Sequence, residues 1–238
     1  MLEVTNLAVA YGKHQALHGV DFTVGQGEVV VILGANGAGK SSLLRALARL
    51  VPAQPGGSVL LHGRNLLQLP AHEVVEAGVA LVPEGRGIFG ELTVRENLAL
   101  GAYARRARAH EKRNLDQVLS LFPRLAERLN QVVSTMSGGE QQMVAIGRAL
   151  MSSPDILLLD EPSLGLSPIM TSELFKALAN VRQLGLSVLL VEQNVRKSLA
   201  LADRGYLIEN GVITGGGDAS VLANDPAVQH AYLGMAAV

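Results

Sequence analysis

Short runs rich in Val, Ile and Leu recur along the chain, and their spacing separates strands from helices. Runs at 2–9, 20–24, 28–33, 59–61, 79–82, 156–159, 188–191 and 206–208 have the length and composition of strands. Those at 29–33, 156–159 and 188–191 are apolar at every position, which predicts parallel strands covered by helices on both faces. Most of the later runs are separated by helical patterns. Over residues 1–61 the strands are divided only by Gly-containing turns, which predicts an antiparallel section at the start of an α/β fold.

Helix starts are marked by their capping chemistry. Thr93-Val94-Arg95-Glu96 and Ser137-Gly138-Gly139-Glu140 both fit the S/T-x-x-E box, and Ser167-Pro168 puts a cap residue before a proline at the first helical position. Gly185 stands where the helix opened by Pro168 should stop, and a further helical pattern runs from Lys40 through Leu50. Residues 88–150 read as almost wholly helical and interrupt the strands, which predicts a helical lobe inserted into the α/β core.

Composition narrows the function classes. A chain of 238 residues, 48% hydrophobic, can bury one large core or two joined lobes. Lys plus Arg number 20 against 21 Asp plus Glu, and the aromatics are four Phe and four Tyr, which disfavours broad nucleic-acid binding. Cysteine is absent, so disulfides, thiolate metal sites and Cys nucleophiles are excluded. Met1–Asn6 has no signal-peptide character, and no apolar run approaches the ~18 residues of a membrane span. The chain is expected to be soluble, with any membrane role exercised through a partner.

Gly34-Ala35-Asn36-Gly37-Ala38-Gly39-Lys40-Ser41 satisfies G-x-x-x-x-G-K-[ST] between a strand and a helix. In that setting backbone N–H groups turn inward around phosphate oxygens, the helix N-terminus and Lys40 add positive charge, and Ser41 offers a hydroxyl to magnesium. Chance alone yields the bare pattern in roughly 1% of chains this long. The run 156–159 ends in Asp160-Glu161-Pro162, two carboxylates where an open α/β sheet binds its ligands. Asp160 is placed to hold magnesium, and Glu161 to orient and deprotonate an attacking water.

The glycines of Ser137-Gly138-Gly139-Glu140 are costly in a helix, and are accounted for if an anion must approach that N-terminus closely. With Met136 in front, this segment resembles the Leu-Ser-Gly-Gly-Gln signature of the ATP-binding subunits of ABC transporters. Two of its five positions differ. The resemblance extends over essentially the whole chain and implies a P-loop NTPase core (1–87 and 151–238) with an antiparallel β subdomain and an inserted helical subdomain (88–150). It implies Tyr11 as an adenine-stacking aromatic, Ser42 beside Ser41 in the phosphate loop, and Ser163 to Ser167 as the family's D-loop. It also implies head-to-tail pairing with a second copy or a paralogous ATPase, so that Ser137, Gly138, Gly139 and Glu140 close on ATP held by the other subunit.

Two switch positions differ from the common pattern. The family usually carries Gln after the 79–82 strand, where this chain has Glu84, and His after the 188–191 strand, where it has Gln193. Glu84 would place a carboxylate near the magnesium, whereas Gln193 donates a hydrogen bond without being able to carry a proton charge. Together, Val82 to Arg86, Leu92 to Leu98, Ser137 to Met143, Asp160 to Pro168, Val191 to Asn194 and Ala231 to Gly234 resemble an ATPase subunit of branched-chain amino acid importers. That resemblance implies two transmembrane permease subunits, a periplasmic or extracellular substrate-binding protein, and a place on the cytoplasmic face of the inner or plasma membrane. Urea or short amides are an alternative cargo. A non-transport ABC ATPase is the alternative class, though its usual second cassette or zinc and coiled-coil insertions are missing.

Other features have plainer readings. Arg105, Arg106, Arg108, Lys112 and Arg113 read as a solvated helix end, with anionic lipid headgroups as the competing partner. Residues 85–93, with Ile88, Phe89 and Leu92, are apolar for a loop and read as local packing or, by resemblance, as part of a groove for a permease helix. His14 and His18 read as surface residues.

Overall fold

The all-apolar runs pair with one another, because only a strand buried on both faces tolerates such a sequence. The computed structural model describes residues 1–233; residues 234–238, including Gly234 and the end of the expected domain, lie outside the described residues. The chain opens with β1 (Leu2–Tyr11) and β2 (His14–Val24), then β3 (Val29–Leu33) and α1 (Lys40–Leu47). It continues through β4 (Ser58–Leu61), β5 (Arg64–Asn65), α2 (Ala71–Glu76) and β6 (Val79–Val82). Next come α3 (Val94–Gly101), α4 (Arg105–Arg108), α5 (Glu111–Leu121), α6 (Pro123–Ala126) and α7 (Gly138–Leu150). The remainder alternates: β7 (Ile156–Asp160), α8 (Pro168–Gln183), β8 (Ser187–Glu192), α9 (Val195–Leu201), β9 (Arg204–Glu209), β10 (Val212–Asp218), α10 (Ala219–Asn224) and α11 (Pro226–Leu233).

Two sheets result. The first is antiparallel, in the order β2-β1-β4-β5; the second runs β10-β9-β3-β8-β7-β6, parallel except for the β9–β10 pair. The second sheet divides the interior into two cores. Val29, Val31, Leu33, Leu157, Leu159, Val188 and Leu190 face a core shared with Leu98, Val118, Leu125 and Ile146 of the helical segment and with α8 and α9. Val30, Ile32, Ile156, Leu158, Leu189 and Val191 face the other core, filled by α1 and the antiparallel sheet. Full burial of each such side chain contributes roughly 1.5–3 kcal/mol. The helical segment has no core of its own, since its apolar residues continue the one beneath the parallel sheet.

The expected caps form. Thr93 and Ser137 each complete a reciprocal capping box with Glu96 and Glu140, Ser167 accepts from the Met170 N–H, and Gly185, at φ 75°, follows the end of α8. Three details differ from the sequence expectation. Strand β2 begins at His14 because it pairs with β1 up to a Tyr11–His14 partner pair, which makes Tyr11 the last residue of β1 and not its successor. Helix α1 stops at Leu47, followed by Arg49 at φ 59°. Strand β10 escapes an apolar-period search because Gly215, Gly216 and Gly217 carry no side chains to show one, while its backbone still pairs with β9. Among the described residues no helix is long and apolar enough to cross a membrane.

In the basic cluster Arg105, Arg108, Lys112 and Arg113 are exposed as expected, and Arg106 is half-buried. Arg106 pairs with Asp155 at 2.7 Å, Glu76 accepts from the Arg105 and Arg106 backbone N–H groups, and Arg108 lies over the Tyr103 ring at 5.0 Å. The contacts to Asp155 and Glu76 fasten α4 to the turn before β7 and to α2.

Candidate active site

The phosphate loop sits between the carboxyl end of β3 and α1, and both sheets shape it. A Cβ on Gly34 would come within 2.4 Å of the Ile208 carbonyl oxygen of β9, so the loop can leave the sheet there only as glycine. Gly39, at φ 102°, caps α1, and a Cβ there would lie 2.7 Å from the Ala16 carbonyl oxygen of β2. Lys40 is only 4% exposed, and its ammonium donates to the carbonyls of Gly34 (2.8 Å) and Ala35 (3.0 Å). It also pairs with Glu161 Oε1 at 3.1 Å.

Parallel pairing sets the acidic residues level with the loop. Asp160 is in register with Val191, and Leu33 with Glu192. Ser41 Oγ donates to Asp160 Oδ1 at 3.0 Å, bringing together two of the three expected magnesium ligands. Burial raises the Asp160 pKa; hydrogen bonds from the Ser41 hydroxyl and the Glu84 backbone N–H oppose the rise, the charges of Glu84 and Glu161 add to it, and the net shift is upward. Glu161 has φ 45°, a left-handed conformation uncommon outside glycine, and its N–H donates to the Val191 carbonyl at 2.9 Å. Gln193 Nε2 donates to Glu161 Oε2 at 2.8 Å and to Asn36 Oδ1. The Glu161 carboxylate is therefore held from both sides, by an ammonium and by an amide.

A cavity of about 530 Å³ opens here, lined among others by Tyr11, Asn36, Gly37, Gly39, Lys40, Ser41, Ser42, Glu84, Glu161 and Gln193. Those residues were each singled out from the sequence, and the fold brings them to one place. Gly34 lies beneath the loop, Ala38 is buried within it, and Asp160 is 1% exposed below Ser41. Ser137, Gly138, Gly139 and Glu140 do not line the cavity. Glu140 is turned into its own helix start: burial opposes its ionisation, but the Ser137 hydroxyl and N–H, with Arg128 at 3.3 Å, hold its pKa below the ordinary value. Gly139 packs closely on α8, where an added Cβ would meet the Met170 side chain at 2.3 Å. His14 and His18 are exposed on β2, and His14 lies at the cavity rim.

Glu192 belongs with this group although the motifs do not mark it; a carboxylate ending an apolar central run is the same signal as Asp160, and here it falls inside the Val191 to Asn194 pattern.

Residues 17–164 match the ABC transporter family. The chain belongs to the ABC transporter family. Over 98% of the chain and the full length of the relative, it is 49% identical to the high-affinity branched-chain amino acid transport ATP-binding protein BraG of Pseudomonas aeruginosa. It is 34% identical, over 98% of the chain and 97% of the relative, to the lipopolysaccharide export system ATP-binding protein LptB of Haemophilus influenzae. Its fold matches an ATP-binding cassette of an ABC transporter solved in its ADP conformation, with a TM-score of 0.83 and 25% identity over 99% of both chains. The ABC cassette fold expected from the motifs is thus the fold observed.

The raised Asp160 pKa has a consequence for stability. The folded protein binds that proton more tightly than the unfolded chain, so the contribution of this carboxyl falls as pH climbs from the ordinary value, 3.8, through the raised one. In chelator-treated protein, Asp160→Asn should raise the melting temperature, and by more near pH 8 than near pH 4, while abolishing stabilisation by ATP with magnesium. Thermal melts of both proteins at the two pH values check this; an equal or smaller gain at the higher pH would show that the charge is already compensated.

Proposed function

We propose that the chain binds and hydrolyses ATP to drive an importer for branched-chain or similar apolar amino acids. Hydrolysis rests on one observation, the Glu161 carboxylate held between Lys40 and Gln193 above the paired Ser41 and Asp160. The cargo rests on the 49% identity to BraG against 34% to the lipopolysaccharide export subunit.

In this reading the phosphates lie along residues 34–42, over the N-terminus of α1, with Lys40 moving from the loop carbonyls to phosphate oxygens and Tyr11 against the base. The Ser41 hydroxyl and the Asp160 carboxylate are hard oxygen donors and fit magnesium, with Glu84 at the mouth as a further oxygen. Held by these oxygens, magnesium would neutralise charge on the phosphate oxygens. Glu161 Oε1 and Oε2 keep free lone pairs beyond their bonds to Lys40 and Gln193, so the carboxylate can accept a proton from water while held in place. Gln193 orients it but supplies no positive charge to the γ-phosphate.

Because the signature residues lie away from the cavity, the working unit is a dimer, with itself or a paralogous ATPase, in which each Ser137–Glu140 segment closes on the nucleotide of the other. Residues 88–150 act as the helical subdomain, and 1–87 with 151–238 as the core. Phe89, Leu100 and Tyr103 are exposed around a groove of about 880 Å³ whose wall includes Arg148. This surface supports the reading of a docked permease helix, with the subunit at the cytoplasmic face of the inner or plasma membrane and coupled indirectly to a substrate-binding protein.

Three outcomes test the reading. Tagged protein purified from mild-detergent extracts should bring down two multi-span proteins and a second ATPase, identified by mass spectrometry; recovery of ribosomes or repair factors would overturn the transport role. Glu161→Gln should lower ATP turnover by about a hundredfold or more and leave ATP bound in a closed dimer, seen by gel filtration. Gln193→His should raise the turnover of the isolated subunit, and an unchanged rate would remove this switch from rate control.

A further inference from the structure

Glu192 stands where two loops of the site meet. It ends β8, is 2% exposed, and its hydrogen-bond partners are backbone N–H groups from both loops. Oε1 accepts from Ser163 N–H at 2.9 Å, in the loop that follows Glu161. Oε2 accepts from Gln193 N–H at 3.0 Å and Asn194 N–H at 3.1 Å, in the turn that carries the Gln193 amide to Glu161 and Asn36. Beyond the turn, the Asn194 side chain caps α9 by accepting from Lys197 N–H at 3.2 Å. The other end of the Ser163 loop is the Ser167 cap of α8.

A buried carboxylate is costly unless several donors meet it, so its placement here selects one arrangement of both loops. We propose that Glu192 is a positioning residue whose two oxygens clamp the Gln193 turn and the Ser163 loop into one unit, keeping the Gln193 amide on Glu161. This rests on the assignment of hydrolysis to Glu161. The division of labour between the oxygens makes the carboxylate specific. In Glu192→Gln the volume is unchanged, but one oxygen becomes an NH₂ group. Either Ser163 N–H or the N–H groups of Gln193 and Asn194 then face a donor, and one loop is released.

The test measures kcat and KM for ATP with the full chain assembled with its partners, for Glu192→Gln, Glu192→Asp, Gln193→Ala and the double variant Glu192→Gln/Gln193→Ala. Glu192→Gln should lower kcat by about tenfold or more with KM within about twofold, because it misplaces a catalytic contact without touching nucleotide. The double variant should be no slower than the slower single variant, since both changes break one unit. A folded Glu192→Gln with kcat within about twofold of the parent, or a double variant whose losses multiply, overturns the proposal. Thermal melts report folding; if Glu192→Gln does not fold, the same additivity criterion applies to Glu192→Asp, whose charge is kept but whose reach is one methylene shorter. Glu161→Gln runs alongside: hydrolysis surviving that change removes the underlying assignment, whereas its loss with Glu192→Gln unaffected removes only the clamp.

Discussion

The burial of one ammonium group organises this molecule's site. Lys40, at 4% exposure, would be prohibitively desolvated alone, and three oxygens meet it: the carbonyls of Gly34 and Ala35 and the Glu161 carboxylate. For those oxygens to converge, the loop must wrap over the N-terminus of α1, and the walls of that wrap are Ile208 of β9 on one side and Ala16 of β2 on the other. The antiparallel sheet, which contributes no charged group to the Lys40 cluster, is therefore part of what shapes the loop. Its packing on α1 through the second core transmits that requirement to the whole N-terminal half.

The parallel sheet acts as a ruler for the acidic groups. Its central runs in β3, β7 and β8 are apolar until their carboxyl ends, where Asp160, Glu161 and Glu192 stand, and the ladder register puts them level with the loop. The same register lets the Glu84 backbone N–H reach Asp160 from the neighbouring strand end. Glu161 departs from regular backbone, at φ 45°, at the point where its carboxylate must turn back toward Lys40. Strain of this kind persists only where surrounding contacts over-determine it, and here its N–H is tied to Val191 while Leu164 N–H returns to its carbonyl at 3.0 Å.

What could be read in advance follows from this physics. The all-apolar runs announced the central strands, the two capping boxes and Ser167-Pro168 announced three helix starts, and the phosphate loop announced its ligand class. Those signals are local: each is a consequence of a few consecutive residues. The parts that were missed are relational. Strand β10 exists because β9 offers an edge, and its glycines leave no periodic trace. Gly139 lies against Met170, thirty-one positions away in sequence, and Arg106 pairs with Asp155; neither contact leaves a mark in its own segment. Glu192 was legible by the rule that found Asp160, but the loop it joins to its own turn is visible only once β7 and β8 are paired.

Charge balance gives the site its dependence on outside groups. Lys40 stands against Asp160 and Glu161, with Glu84 at the mouth, so acidic side chains outnumber the basic one in the cavity wall and floor before any phosphate enters. Burial is the first cause of the upward shift of Asp160, and the charges of Glu84 and Glu161 add to it. A triphosphate adds more negative charge, and the α1 N-terminus supplies only about half a unit in return. In the proposed function, a divalent cation on Ser41 and Asp160 would restore part of the balance, and the N-terminus of α7 from a second subunit would restore another part. Gln193, where a histidine could have carried a proton, withholds a third. Under the proposed function, the acidic excess of the chain's own site is what a bound cation and a closing partner would offset.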